Sequence, residues 1–184
     1  MNTESYILAS SIMGLASIAM LFIERKDIKI LTKEQLKKYT IITVLFYLFT
    51  IVFSYICSMF HLKTTNGISL DDMNVSFSYM FFYIAIFTPI LEEFIFRFCS
   101  FKFMYFLAGP NMNEKVKNYT AIVVSAFLFS VIHQGGLPQN IYAFIMGLLF
   151  GTVYTKEKNI LATMYMHCIF NSITLFLYGL AILI

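Results

Sequence analysis

The chain has 184 residues, of which 59% are hydrophobic and only 12% are charged, and its formal net charge is +3. Since soluble globular domains carry about 25% charged residues, this composition excludes an ordinary soluble protein and indicates one integral membrane domain. The net charge is too small and too locally distributed to indicate a nucleic-acid partner. The three cysteines fall in apolar segments, so we expect buried thiols rather than a disulfide framework.

Six apolar segments follow one another along the chain. They cover approximately residues 6–23, 40–60, 78–100, 119–134, 140–155 and 160–184. Because a membrane-spanning helix needs about 20 residues, we predict an all-α membrane protein with about six transmembrane helices. Residues 101–107 are aromatic around one lysine, and they either form a short interfacial helix after the third span or simply extend that span.

Basic residues alternate between the loops. The loop after the first segment contains Arg25, Lys26, Lys29, Lys33, Lys37 and Lys38. The next loop contains Lys63 alone, and the later loops contain two lysines, none, and two again. By the positive-inside rule, we expect the basic loops in the cytoplasm and both termini outside. The abundance of Lys, Ile, Phe, Tyr and Asn without Trp is typical of a low-GC bacterium, so we expect a multi-pass protein of a bacterial plasma membrane.

Two adjacent carboxylates, Glu92 and Glu93, interrupt the third apolar segment. Each charge at the centre of a spanning helix costs about 2.5–3.5 kcal/mol, and an intramembrane ionisable residue is a functional-site hypothesis by default. Arg97 follows Glu93 by four residues and can neutralise it. Glu92 is rotated by about 100° from Glu93 on the helix, lacks a partner there and has the profile of a general base. The alternative is a salt-bridge cluster that only packs helices.

A proline and three further polar residues accompany these carboxylates. Pro89, just upstream, frees a backbone carbonyl and is expected to kink the helix. His133 follows Phe129 by four residues, so the two rings share a face. His167 and Asn171 are also four residues apart and project together, either as a clamp between helices or as two groups directed at one substrate oxygen.

The depth of these groups in the membrane tests whether they can meet. At about 1.5 Å per helical residue, Glu92 and His167 lie roughly 15 Å and roughly 13 Å inward from the nearest cytoplasmic lysine. His133 lies roughly 24 Å inward on the same count. We therefore expect Glu92 and His167 at similar depths, and His133 several ångströms deeper.

Three motifs stand in order along three separate segments. They are Glu92-Glu93-x-x-x-Arg97, Phe129-x-x-x-His133 and His167-x-x-x-Asn171. This arrangement resembles the CPBP family of intramembrane proteases, also called the Abi or type II CAAX prenyl endopeptidase family. The resemblance covers roughly residues 78–180. It divides the single membrane domain, 1–184, into two N-terminal spans without family motifs, 1–77, and a four-helix catalytic core, 78–184.

The resemblance implies a role for each motif residue. Glu92 would be the general base, and His133 would help to hold or activate the attacking water. His167 and Asn171 would polarise the scissile carbonyl and stabilise its oxyanion, with Glu93 in a supporting pair with the arginine of the first motif. The implied reaction is peptide hydrolysis in one step by an activated water, without an acyl-enzyme.

Three of the motif residues are also candidate metal ligands. Glu92, His133 and His167 are the ligand types of a zinc site with two histidines, one carboxylate and an open position. Members of the family have been described both as metalloproteases and as glutamate-dependent enzymes. Zinc or another divalent metal is therefore an alternative to hydrolysis without metal.

The resemblance also implies the partners. Relatives cut prenylated CAAX tails or take part in bacteriocin or pheromone processing and immunity. We expect membrane lipid as the surroundings, a membrane-associated peptide or protein as the substrate, and an active site that opens towards the cytoplasm. Two other functions stay open: a non-catalytic membrane adaptor or immunity protein whose polar residues clamp the bundle, and an ion or proton pathway.

Overall fold

The computed structural model describes residues 3–24, 28–62, 77–133 and 136–183, and all the regular structure in this part of the chain is helical. The helices are α1 (Thr3–Glu24), α2 (Lys33–Met59), α3 (residues 77–108), α4 (Glu114–Ile132), α5 (Gly136–Glu157) and α6 (Ile160–Leu183). The all-α class predicted from composition and hydropathy is confirmed.

Among the described residues, five helices are long and apolar enough to cross a membrane. Their spanning parts are Lys33–Met59, Ser78–Ala108, Glu114–Ile132, Gly136–Glu157 and Ile160–Leu177. The apolar stretch found in α1, Ser11–Ile23, is shorter. The chain is thus a multi-pass membrane protein. Arg25, Lys26 and Lys63, which support the predicted orientation, lie outside the described residues, so the orientation stays a prediction.

The third helix changes its hydrogen-bond register along its length. It is α-helical at Phe77–Met80, Thr88–Glu93 and Ser100–Ala108, and π-helical at Phe81–Phe87 and Phe94–Cys99. Residues 101–107 therefore extend the third span and do not form a separate interfacial helix. The two glutamates end the short α-helical stretch between the two π-helical ones. π-Helical turns are rare and frequently occur at functional sites. The irregularity therefore makes the segment around Glu92 and Glu93 a candidate functional site.

The start of α2 follows from local capping. Thr32 accepts a hydrogen bond from the backbone N–H of Gln35 at 3.2 Å, and the Gln35 side chain accepts one from the N–H of Thr32 at 3.0 Å. This reciprocal pair is a capping box, which satisfies two N–H groups at a helix start. The helix consequently begins at Lys33, and the lysines that follow lie on its first turns.

The described residues form two compact units. The first takes its residues from 1–45, 68–92 and 161–184, and the second from 46–67 and 93–160. In the first unit, Met80 and Leu175 are almost fully buried against partly buried neighbours on α3. In the second unit, α4 packs closely on α5, where Gly147 lies against the backbone of Ala126. The division between the units falls between Glu92 and Glu93.

Candidate active site

The structure brings Glu92 and His167 together within the first unit. Glu92 is on α3 and His167 is on α6, and the Nε2 atom of the imidazole lies 3.6 Å from the Oε2 atom of the carboxylate. The His167 side chain is 2% exposed and the Glu92 side chain is 20% exposed. The carboxylate without a partner on its own helix therefore meets a buried imidazole on another.

The spacing of this pair suits proton transfer to and from a third group. At 3.6 Å the two side chains form an ion pair when His167 is protonated, but the separation exceeds a normal hydrogen bond. A carboxylate accepts protons, and an imidazole can hold one or donate one. A water molecule that contacts both groups would have an acceptor and a donor at hand, as general acid–base catalysis requires.

Asn171 lies one helical turn after His167 and contacts the backbone of α3. Its Nδ2 atom donates a hydrogen bond to the carbonyl oxygen of Ile84, at 2.9 Å. The amide thus commits one of its two N–H groups to a backbone carbonyl of the segment that leads to the glutamates.

Other side chains hold the same stretch of α3. The Ser17 hydroxyl, on α1, lies 2.8 Å from the Met13 carbonyl of its own helix and 3.3 Å from the carbonyl of Phe87. The thiol of Cys168 donates a weak hydrogen bond to the carbonyl of Ile86 at 3.9 Å. These contacts fix the backbone just before Glu92, and Ser17 has no polar neighbour three or four residues away that would have pointed to it in the sequence.

An apolar cavity of about 370 Å³ lies in the first unit. It is lined by Leu21, Ile30, Leu31, Leu36, Ile90, Leu161, Met164, Tyr165 and Cys168. The Tyr165 hydroxyl already shares a hydrogen bond with Thr40 at 2.8 Å. Two lining residues are neighbours of the pair, because Ile90 precedes Glu92 by two residues and Cys168 follows His167. The cavity can accommodate an aliphatic group.

Glu93 and Arg97 form a fully buried ion pair in the second unit. Arg97 Nε lies 3.1 Å from Glu93 Oε2, and both side chains are fully buried. Arg97 also donates to the hydroxyl of Ser125 at 3.3 Å, and this hydroxyl donates to the carbonyl of Phe96 at 2.6 Å. The pair that the four-residue spacing predicts is therefore present and is tied to α4. A pair this deeply buried is costly to break, because either partner alone would be an uncompensated charge.

Aromatic rings surround the guanidinium group. The Arg97 Cζ atom lies 5.1 Å from the ring centre of Phe129 and 5.6 Å from that of Phe150. The Phe129 ring also meets that of Phe96 edge-on, at 5.3 Å and 86°. These distances are in the range of cation–π and edge-to-face contacts. The phenylalanine of the second motif thus supports the arginine of the first, which the sequence analysis did not foresee.

His133 ends α4 and is half-buried. Its ring centre lies 4.4 Å from that of Phe129, as the shared face predicts. Its Nδ1 atom lies 2.7 Å from the Phe129 carbonyl oxygen. A carbonyl oxygen only accepts, so Nδ1 carries the proton, and Nε2 of the neutral ring is left as an acceptor or metal ligand. His133 belongs to the second unit, and its predicted action beside Glu92 stays a prediction.

The metal alternative can be compared with the donors in the first unit. Glu92 and His167 are two ligands of suitable type, and no third His, Cys, Asp or Glu side chain among the described residues of that unit joins them. Catalytic zinc sites use three protein ligands. The donors described in this unit are therefore one short of such a site.

Comparisons with known proteins identify one family. A family described as type II CAAX prenyl endopeptidase Rce1-like matches residues 74–173, which is more than half of the chain. This match includes all three motifs, from Glu92 to Asn171. No curated protein and no solved structure matches the chain significantly.

Proposed function

The chain belongs to the type II CAAX prenyl endopeptidase Rce1-like family, and from this premise we propose that it hydrolyses a peptide bond with a water activated by Glu92. The observation that carries the proposal is the close approach of Glu92 and His167, 3.6 Å apart on two helices of a membrane protein. Placing a carboxylate within the membrane costs free energy, so such a residue is usually retained for a function. Family membership supports CAAX-type intramembrane endopeptidase activity.

In the proposed reaction Glu92 acts first as a base and then as an acid. Glu92 takes a proton from the water as its oxygen bonds to the scissile carbonyl carbon. His167 donates to the carbonyl oxygen, which becomes negatively charged. The C–N bond then breaks, and the proton held by Glu92 passes to the departing amine. His133 is proposed to accept a hydrogen bond from the water through its unprotonated Nε2 atom.

The buried neighbour supports this division of roles. Glu93 is already neutralised by Arg97 at 3.1 Å, so it does not compete for the water or for the proton. The substrate we propose is a small membrane-associated peptide or protein that is cut near the cytoplasmic side. Its apolar group would occupy the cavity that Ile90 and Cys168 line, either as a prenyl chain of a CAAX tail or as the apolar part of a bacteriocin-like peptide.

The decisive experiment compares wild-type protein with Glu92→Gln in liposomes, using one peptide with and without a prenyl group. General bases contribute about 10²–10⁴-fold, so we expect cleavage to fall by at least about 100-fold in the variant. The matched control is Glu114→Gln, which changes an exposed glutamate at the start of α4 and should leave cleavage unchanged. Full activity of Glu92→Gln would end the proposal.

A chelator added to the same assay addresses the metal. Cleavage that persists in chelator supports water activation by side chains alone. Cleavage that is lost and then restored by zinc supports a metal held by Glu92 and His167, with a ligand from outside the first unit or from the substrate.

One observation favours a second candidate, the non-catalytic adaptor or immunity protein. Asn171 already donates to a backbone carbonyl, which is what a residue that only clamps the bundle would do. This candidate predicts that the wild-type protein cleaves none of the peptides, and that Glu92→Gln loses thermal stability and partner binding together.

A further inference from the structure

Pro89 removes one backbone donor from the carbonyl of Ile84. In the first π-helical stretch each N–H bonds to the carbonyl five residues earlier, and the last such bond runs from Thr88 to Tyr83. The next bond in this register would run from residue 89 to Ile84. Proline has no backbone N–H, so this bond cannot form.

Asn171 supplies the missing donor from another helix. Its Nδ2 atom donates to this same Ile84 oxygen at 2.9 Å. Within a membrane an unpaired backbone carbonyl is costly, and side chains of neighbouring helices commonly satisfy carbonyls that proline releases. The neighbouring carbonyl of Tyr83 is satisfied twice, because both the N–H and the hydroxyl of Thr88 donate to it, the hydroxyl at 2.7 Å.

We propose that Asn171 is a positioning residue that replaces the N–H missing at Pro89 and thereby sets the distance between Glu92 and His167. The geometry places one end of this bond a single turn after His167 on α6. The other end belongs to the stretch of α3 that leads directly into the turn of Glu92. The bond therefore joins the two elements that carry the pair, close to the pair itself.

This role differs from the direct contact with the oxyanion that the resemblance implies, and its catalytic consequence rests on the proposed function. Without the bond, the segment before Glu92 keeps the weak hydrogen bond from the Cys168 thiol of α6 to the Ile86 carbonyl, but it is held less firmly against α6. A misplacement of about 1 Å can cost about 100-fold in rate. We expect the loss in kcat rather than in KM, because the apolar cavity that would hold the substrate is lined by other side chains.

The test is the coupling between Pro89 and Asn171, measured with wild type, Pro89→Ala, Asn171→Leu and the double variant. Leucine keeps the side-chain size of asparagine but has no side-chain N–H, and the Pro89→Ala substitution restores the backbone donor for Ile84. Asn171→Leu should lower the thermal unfolding midpoint by about 5 °C when Pro89 is present. In the Pro89→Ala background it should lower the midpoint by less than half as much.

The same coupling should appear in kcat. Asn171→Leu should reduce kcat by about 100-fold beside Pro89 and by about tenfold or less in the Pro89→Ala background, each relative to its own background, with KM nearly unchanged. Ser172→Ala is the matched control, because the Ser172 hydroxyl donates to the Cys168 carbonyl of its own helix at 2.7 Å. Its effect should be equal in the two backgrounds.

Equal losses of thermal stability and of kcat for Asn171→Leu in both backgrounds would overturn the proposal. The effect of replacing a residue that contacts only the substrate would not depend on the Pro89→Ala substitution. If Asn171→Leu fails to fold, restored folding in the double variant supports the proposal, and failure of both counts against it. The thermal unfolding midpoints test the role of Asn171 even if no peptide is cleaved. An absence of cleavage would contradict the proposed function alone.

Discussion

Glu92 and Glu93 are neighbours in the chain, but they have different partners. Glu93 is fully buried and pairs with Arg97 of its own helix at 3.1 Å. Glu92 is 20% exposed and faces His167 of another helix. The rotation of about 100° per residue separates the two side chains, so one carboxylate is neutralised locally and the other is directed to a second helix. This difference supports the proposal that Glu92 is the general base.

A prediction at this scale concerns Arg97. Replacing it by Met leaves Glu93 buried without its cation, and removing one partner of a buried pair costs about 3–5 kcal/mol. We expect Arg97→Met to lower the free energy of unfolding in detergent by about this amount. Arg97→Lys should rescue it only in part, because a lysine lacks the planar, five-donor guanidinium group that lies near the rings of Phe129 and Phe150.

The control for this prediction is Lys102→Met, which removes an exposed cation from the same helix. Because the Lys102 ammonium lies over the Phe98 ring, and an exposed contact of this kind is worth at most about 1 kcal/mol, the control should change stability by no more than that. The double variant Glu93→Gln with Arg97→Met should recover part of the loss, because no charge is left unpaired. An unchanged free energy of unfolding in Arg97→Met alone would show that the ion pair between Glu93 and Arg97 does not stabilise the fold.

At the scale of elements, the irregular register of α3 and the close packing of α4 on α5 position the polar residues. The π-helical stretches on either side of Thr88–Glu93 change which carbonyls are available to other helices. In the second unit, the hydroxyl of Ser130 on α4 donates to the carbonyl of Asn140 on α5 at 2.7 Å. That bond holds the two helices together one turn before His133.

Gly147 provides the test of this packing. A Cβ atom at Gly147 would lie 2.7 Å from the Cα atom of Ala126, whereas one at Gly151 would lie 3.3 Å from the Cγ2 atom of Ile122. Alanine is favoured over glycine in a helix by about 1 kcal/mol at either position. We therefore expect Gly147→Ala to destabilise the protein by about 1–3 kcal/mol, and Gly151→Ala to be close to neutral.

Thermal and denaturant unfolding of the two purified variants would measure this difference. Since the gain in helix propensity is common to both substitutions, the difference between them reports the contact with α4. Equal stabilities would mean that α4 and α5 can separate without cost.

At the scale of the whole molecule, the chain is a multi-pass membrane protein of the type II CAAX prenyl endopeptidase Rce1-like family, and its loops predict one orientation in the membrane. The alternation of basic loops predicts that the start of α4 and the end of α5 face the cytoplasm. The same rule places the end of α2, near His61, outside. An active site that serves cytoplasmic substrates depends on this orientation.

Cysteine labelling in intact cells measures the orientation of the protein in the membrane directly. In a background where Cys57, Cys99 and Cys168 are replaced by Ala, we expect a membrane-impermeant thiol reagent to label His61→Cys in intact cells. Lys115→Cys should be labelled only after the membrane is opened. Labelling of Lys115→Cys but not of His61→Cys in intact cells would reverse the predicted topology.

Local contacts in the candidate site were predictable, because they depend only on spacing along one helix. Glu93 with Arg97 and Phe129 with His133 are both four residues apart, and both contacts are present. Ser125 precedes Phe129 by four residues, so the same rule places the two on one face of α4, but its hydrogen bonds with Arg97 and Phe96 of α3 do not follow from spacing. Phe150 could not have been found by this rule, because an apolar residue in an apolar helix carries no signal of its own.

The helical membrane class, the family motifs and the pairing of residues one turn apart can be predicted from the sequence, since hydropathy and the 3.6-residue repeat are local properties. The approach of Glu92 to His167 and the bond from Asn171 to the Ile84 carbonyl are seen in the fold alone. Those contacts join separate helices, and they depend on how each helix is rotated and on the π-helical register before Pro89. Neither property can be deduced from spacing along the chain.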